Sequence, residues 1–362
     1  MKKILPFLLL FLSFMAYAAD IVTPASDPRI TIVGRKLVEG GDVSFDWTGV
    51  YARISFEGKY IAVRVSDTKK NYYNVWLDKD TSCEPDKVIT TFGKDSLIVL
   101  FDSIKGKGAH SLVLQKRTEA EQGKTTLHAF VTAGPVLAAE PLRPRLIEFV
   151  GDSYTCGYGS ENSIRTDPFK PETENSNKTY ATILSRYFGA DYMLVAHSGQ
   201  GVDRNYGDFD RGRHMPERYL CTFDCVEDSP AWKPSGEKPE LTVIYLCTND
   251  FSTGRQPSVK AFRQQYIKLL KAIKDNYGPA HKILCVAGPS DELMPQYIRS
   301  SVEASSLEQV WCVNLCPMAI NWDSDLGASW HPNYTGHTKW AHALLPYIAT
   351  ITGWGLQEKI VK

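Results

Sequence analysis

Between Arg29 and about Val136, apolar and polar residues alternate in short runs: VSFDW at 43–47, ARISFEG at 52–58, YIAVRV at 60–65 and YYNVWLD at 72–78. KVITTF, DSLIVLF, HSLVLQKRT and LHAFVTA follow, each bounded by Gly, Asp, Lys or Asn. A period of two places every second side chain on one face of a strand, and no stretch of useful length carries the helical period instead. Seven or eight such strands in about 110 residues predict an all-β sandwich, read as a jelly roll, over residues 20–138.

The rhythm then changes. VLAAEPLRPR at 136–145 has two prolines and no period, and 139–144 reads as a linker. Beyond it, apolar strands at 145–151, 191–196, 241–246, 282–287 and 310–315 alternate with amphipathic helices at 179–189, 258–277 and near 294–306, and a last helix starts at Thr335. Continuous apolar strands interleaved with helices predict an α/β, doubly wound parallel sheet covered on both faces, over 145–362. In such sheets ligands sit beyond the carboxyl ends of the strands.

A chain of 362 residues fits two domains. Lys plus Arg and Asp plus Glu both number 41, so no net field draws a polyanion, and no nucleic-acid partner is expected. Residues 1–19 read MKKILPFLLLFLSFMAYAA: two lysines, an apolar run from Ile4 to Met15, then Ala16 and Ala18 flanking Tyr17. That pattern predicts a signal peptide cut after Ala18 or Ala19. The run is shorter than the roughly 20 residues of a spanning helix, and no later segment approaches that length. The mature chain is therefore expected to be secreted or periplasmic, with no membrane partner; its oligomeric state stays open.

Of the eight cysteines, Cys247 and Cys285 lie in apolar strands and read as core. Cys221 and Cys225, in a polar loop, are the better disulfide candidates, with Cys312 and Cys316 behind them. No spacing makes a zinc set, so neither a metal nor a cofactor is expected.

Four loops carry the candidate chemistry: GDSYTCGYG at 151–159, HSGQGV at 197–202, CTND at 247–250 and SWHPNYTGH at 329–337. A serine hydroxyl needs a base to take its proton and preset donors for the oxyanion it creates. Ser153, just after a strand, is the candidate nucleophile, and His331 the base. The oxyanion donors are the backbone N–H of Ser153, the N–H of Gly199 and the amide of Asn249. Gly201 rivals Gly199, since both serve the same turn. Taken singly, each has a structural use: Asp-Ser caps helices, Asn-Asp makes turns, and a lone histidine is usually structural.

Gly-Asp-Ser, then Gly, then the Asn of Thr-Asn-Asp, then the His of His-Pro-Asn resembles the four-block order of SGNH (GDSL-like) hydrolases, over 145 to about 350. The β-rich half ahead of it, HSLVLQKRTEA at 110–120, SGQGVDRNYG and WHPNYTGH together resemble carbohydrate esterase family 2 over nearly the whole mature chain. This resemblance implies removal of O-acetyl groups from xylan- or mannan-type carbohydrate, often at the 6-hydroxyl. The alternatives are a lipid or lysophospholipid esterase on the same fold and a non-catalytic carbohydrate-binding protein.

The sequence departs from the family where an orienting acid should stand two or three residues before the histidine, since those positions are Ser329 and Ala328. Asp325 and Asp323 are candidate substitutes, and a main-chain carbonyl, giving a Ser-His dyad, is the favoured option. Tyr154, Tyr158, Trp330 and Tyr334 are candidates to stack on sugar or wall the acyl pocket, with packing as the other use. Asp152 and Asp250 as a glycosidase pair, and Cys156 as a thiol nucleophile, are set aside. His197 and His337 read as structural. Lys116, Arg117 and Glu119 are either a solvated strand face or an interface with the catalytic half.

Overall fold

The computed structural model describes residues 20–106, 108–208, 213–234, 236–288, 293–315, 320–359 and 361–362; the segment read at 1–19, and Cys316, lie outside them. The first half holds β1 (Ile21–Pro24), β2 (Thr31–Val33), β3 (Leu37–Glu39), β4 (Asp42–Phe45), β5 (Tyr51–Glu57), β6 (Ile61–Leu77), β7 (Lys87–Phe101), β8 (Ala109–Lys116) and β9 (Thr125–Thr132). They pair antiparallel in one network ordered β2-β5-β8-β6-β9-β4-β3, with β1 on β9 and β7 on β6. Two boundaries differ from the sequence reading. YIAVRV and YYNVWLD are one 17-residue strand, and KVITTF and DSLIVLF are one of 15. Register shifts between Val65 and Asn71 absorb the polar SDTKKN stretch as bulges, so β6 bends without ending. Its first half pairs with β9 and its second with β8, which closes Phe45, Ile54, Phe56, Val63, Val75, Leu112 and Phe130 into one core.

The second half is a parallel sheet of β10 (Leu146–Gly151), β11 (Asp191–Ala196), β12 (Leu241–Tyr245), β13 (Lys282–Ala287) and β14 (Val310–Asn314), in the order β11-β10-β12-β13-β14. Its helices are α1 (Ser153–Cys156), α2 (Tyr180–Phe188), α3 (Met215–Arg218), α4 (Val259–Tyr277), α5 (Leu293–Ser305) and α6 (Tyr334–Thr352). Strand pleating sends Val150, Val195, Ile244 and Cys285 to the face packed by Phe262, Leu269 and Ile298 of α4 and α5. Phe149, Leu194, Val243 and Leu284 go to the other face, against Ile183, Leu184, Trp340 and Leu344 of α2 and α6. Each such side chain, fully buried, contributes about 1.5–3 kcal/mol. The strand order reverses between β10 and β12, and the crevice that forms there is where the loops converge.

The two halves share polar contacts that are themselves buried. Arg35 donates to Glu148 Oε1 across 3.2 Å, both side chains fully buried, and Tyr219 and Tyr277 hydroxyls donate to the same carboxylate. Tyr51 and Arg53 donate to Asp191, and the Trp47 indole to Thr222 O. Lys116, Arg117 and Glu119 lie in this interface rather than on a solvated face: Arg117 donates to the carbonyls of Glu172 and Glu174 and pairs with Glu161.

The expected Cys221–Cys225 disulfide is not formed. The turn after α3 sends Cys221 back toward Arg213 and Glu217 O, while Cys225 faces His197 Nδ1 at 3.9 Å. Cys247 and Cys285 are buried thiols, and Cys312 is also free. No helix among the described residues is long and apolar enough to cross a membrane.

Candidate active site

The turn at the end of β10 is built for close approach. A Cβ on Gly151 would meet Thr155 Oγ1 at 2.0 Å, so only glycine lets α1 fold back onto the strand. Asp152 caps α1 by accepting the Tyr154 N–H at 3.1 Å. Ser153 follows, 7% exposed, with Oγ 2.8 Å from His331 Nε2.

His331 Nδ1 lies 2.9 Å from the main-chain oxygen of Ser329. A carbonyl only accepts, so Nδ1 carries the proton and Nε2 is left bare to receive one from Ser153. Burial pulls the imidazole down to about 4, so the neutral form dominates at neutral pH. The carbonyl is aimed by an unusual turn: Ser329 and Trp330 both hold left-handed backbone, φ 51° and 63°. Their N–H groups donate to Asp167 O and Arg165 O. Neither substitute acid reaches the ring. Asp325 is buried and accepts from Lys339 Nζ, Asn321 N and Ser324 Oγ, while Asp323, 87% exposed, pairs with Arg165.

The loop after β11 separates the two rival glycines. Gly201 donates its N–H to Asn205 Oδ1 and has no room for a Cβ, which would meet Arg204 O at 1.9 Å. Gly199, at φ 76°, and Ser153 make no backbone N–H hydrogen bond among the described residues. Their two donors are left unpaired among the described residues. The Asn249 amide donates to Gln200 O at 2.9 Å and, at the longer 3.2 Å, to Asp152 Oδ2. An oxyanion would compete with the longer of the two.

Tyr154 turns its ring edge to His331 at 5.2 Å and packs on Tyr245 and Trp340. Tyr158 lies 4.4 Å from the imidazole and stacks on Phe169. These two hold the base more than they face solvent. Trp330 is 48% exposed with Arg165 over its ring at 4.8 Å, an aromatic surface beside the base. In the loop after β11, Tyr206 is 62% exposed, and its N–H donates to Gly199 O. Sequence reasoning missed Tyr206 and Arg165, since an aromatic or basic residue inside a polar loop carries no periodic signal.

Asp152 and Asp250 are pushed up to about 7 by burial and serve as acceptors, Asp250 for the N–H groups of Val202, Asp203 and Arg204. Burial pushes the Cys156 thiol well up, which keeps it protonated. His337 is fully buried and pulled down to about 3 by burial; it accepts the Tyr180 N–H. Burial acts to lower the His197 imidazole, but the Asp224 carboxylate at 2.5 Å outweighs it and holds the ring well above its ordinary value. Among the described residues, two groups bring metal-type ligand atoms together, His197–Asp224–Cys225 and Glu119–Cys156–Glu174. In the first, Asp224 is already spent on His197 and Arg218; in the second, Glu119 accepts the Ser198 N–H.

Comparison with known proteins places this geometry. The family model Carbohydrate esterase 2 N-terminal matches residues 32–141, and the model GDSL-like Lipase/Acylhydrolase family matches 149–339. The chain is 31% identical over 347 residues to the cellulase/esterase CelE of Acetivibrio thermocellus, covering 93% of this chain but 41% of that relative. It is 28% identical to an acetylxylan esterase / glucomannan deacetylase of Cellvibrio japonicus, over 94% of this chain and 95% of the relative. A family two carbohydrate esterase from Clostridium thermocellum, solved in complex with cellohexaose, superposes with a TM-score of 0.83 at 30% identity, over 90% of this chain and 100% of that one.

Proposed function

The chain belongs to the GDSL-like lipase/acylhydrolase family and is a carboxylic ester hydrolase with a carbohydrate esterase 2 N-terminal half, and from that premise we propose that it removes O-acetyl groups from plant-type polysaccharides or their oligosaccharides, xylan and glucomannan among them. The observation that carries the chemistry is the 2.8 Å contact of Ser153 Oγ with a histidine nitrogen that has no proton of its own. Ser153 Oγ bonds to the acetyl carbon as its proton passes to His331 Nε2, and the carbonyl electron pair moves onto oxygen. Ser153 N–H, Gly199 N–H and the Asn249 amide receive that charge, each worth about 3 kcal/mol in the transition state. The intermediate collapses, His331 gives its proton to the departing sugar oxygen, and water activated by the same imidazole releases acetate from Ser153.

Trp330, next to His331 in sequence, and Tyr206, whose N–H bonds Gly199 O, offer two exposed aromatic surfaces, the chemistry that stacks on sugar faces, and a relative solved in complex with cellohexaose supports a carbohydrate ligand. The same reading includes export, supported by the pattern of residues 1–19, and the boundaries 20–138, 139–144 and 145–362, supported by the gap between β9 and β10. It also includes a jelly-roll connectivity for the β-rich half, supported by the bend that lets β6 pair with β9 along its first half and with β8 along its second.

The test is acetate release from acetylated xylo- and manno-oligosaccharides by the mature chain beside Ser153→Ala. Release from wild type, reduced in the variant by about 10³-fold or more, is expected. Release that survives the substitution would remove Ser153 from the mechanism.

A further inference from the structure

The turn that follows β8 leaves the β-rich half and enters the catalytic one. Lys116 is buried and folds its ammonium back onto the carbonyls of Thr118 and Glu119, which tightens residues 116–119 into a compact projection. At its tip Glu119 is 1% exposed. Its Oε2 accepts the Ser198 N–H at 2.7 Å and lies 3.6 Å from Cys156 Sγ on α1. Its own N–H donates to Glu174 Oε2. Ser198 is the residue immediately before Gly199.

The neighbouring contacts are of the same kind. Glu121 Oε1 stands 3.5 Å from His197 Nε2, and Asp46 of the β-rich half accepts the N–H groups of Asp224 and Cys225, whose segment clasps His197 from the other side. Three acids of the first half thus hold the loop 197–199, two of them through its residues directly. A loop whose peptide N–H must point at an oxyanion has to be fixed by contacts on its outer side, because the inner side is left open for substrate. Glu119 makes that contact one residue from the donor.

We infer that Glu119 is a positioning residue of the oxyanion hole, so that the β-rich half completes the active site of the α/β half. The inference rests on the serine esterase reading above. Shortening the side chain by one methylene keeps the charge in the interface but draws the carboxylate off Ser198. Glutamine keeps an acceptor oxygen for the Ser198 N–H while removing the charge and replacing the other oxygen with an NH2 group.

The experiment measures kcat and KM for 4-nitrophenyl acetate, and the second-order rate of Ser153 phosphonylation by a 4-nitrophenyl alkylphosphonate, in full-length Glu119→Asp, Glu119→Gln and Ser153→Ala. Expected are a drop of about tenfold or more in kcat and in phosphonylation rate for Asp, with KM within about twofold, and recovery of most of both in Gln. A residue that only supported the fold would lower the melting temperature and the active fraction but leave kcat per phosphonylatable site unchanged. An Asp variant with wild-type kcat per active site, or a loss confined to KM, overturns the positioning role and leaves the esterase standing. Turnover that persists in Ser153→Ala overturns the esterase reading, and this inference with it.

Discussion

At His331, the proposed base, a main-chain oxygen stands where a carboxylate usually orients the imidazole. Ser329 O fixes the tautomer and ring direction as a carboxylate would, but adds no full charge to stabilise the imidazolium. Two outcomes follow. Asp325→Asn should leave kcat within about threefold, since its carboxylate serves Lys339 and Asn321 N, whereas the loss of a working triad acid costs on the order of 10⁴; a loss of that size with the fold intact would restore Asp325 as the orienting acid. The acidic limb of kcat/KM should fall near pH 4, not near the ordinary histidine value of 6.5, because burial disfavours the charged ring. The sign for stability agrees: between pH 6.5 and about 4 the unfolded chain takes up a proton that folded His331 refuses, so the fold loses stability as pH falls through that window. A kcat/KM limb at 6.5 would mean that the ring is solvated in the working enzyme. Ser153 and His331, which the structure brings into contact, stand out in the sequence, as do the candidate donors Gly199 and Asn249, because each lies in a short polar loop beside a strand or helix end. The Ser329 carbonyl is not, since every residue has one and only backbone angles aim it.

The turn Gly327–His331 and the loop after β11 are the elements that turn these residues into a site. Ser329 and Trp330 both hold positive φ without being glycine, each at a cost of about 1–2 kcal/mol, and the hydrogen bonds to Asp167 O and Arg165 O keep them there. Ser329→Gly should therefore retain kcat within about threefold, because glycine adopts that backbone freely. Ser329→Val places a β-branched residue where it is a genuine outlier, and kcat should drop by about tenfold or more as the carbonyl swings off Nδ1. A valine variant with wild-type kcat and an unchanged melting temperature would show that the carbonyl does not orient the base. The strands and the longer helices of the catalytic half are legible to within a residue or two, since continuous apolar runs and helical periods are long signals, whereas the four-residue α3 is too short to carry one. β6 and β7 are not legible as whole strands: the polar residues 66–71 and the Gly93-Lys94-Asp95 stretch look like breaks, and only pairing across the bulges shows that the ladder continues.

Across the whole molecule, the interface between halves is polar and buried, which makes it intolerant of partial loss. Arg35 is enclosed by Trp47, Tyr219 and Trp232 and pairs with Glu148, itself in the middle of β10 between β11 and β12. Arg35→Met removes one partner and leaves a carboxylate buried with only hydroxyl donors, a loss of about 3–5 kcal/mol. At about 2–4 °C per kcal/mol for a unit of this size, the melting temperature should fall by roughly 10 °C. Adding Glu148→Gln to Arg35→Met removes the stranded charge and should recover part of that loss, which is the signature of a pair rather than two separate contacts. Because Glu148 lies inside the parallel sheet while Arg35 comes from the β-rich half, both halves should melt in one calorimetric transition that shifts as a whole in the single mutant. Two transitions, with only the β-rich half moved by Arg35→Met, would mean that the halves fold independently. In that case the catalytic loops could not depend on the first half for their shape, and the pairing of Glu119 with Ser198 would be a consequence of docking rather than a part of the site.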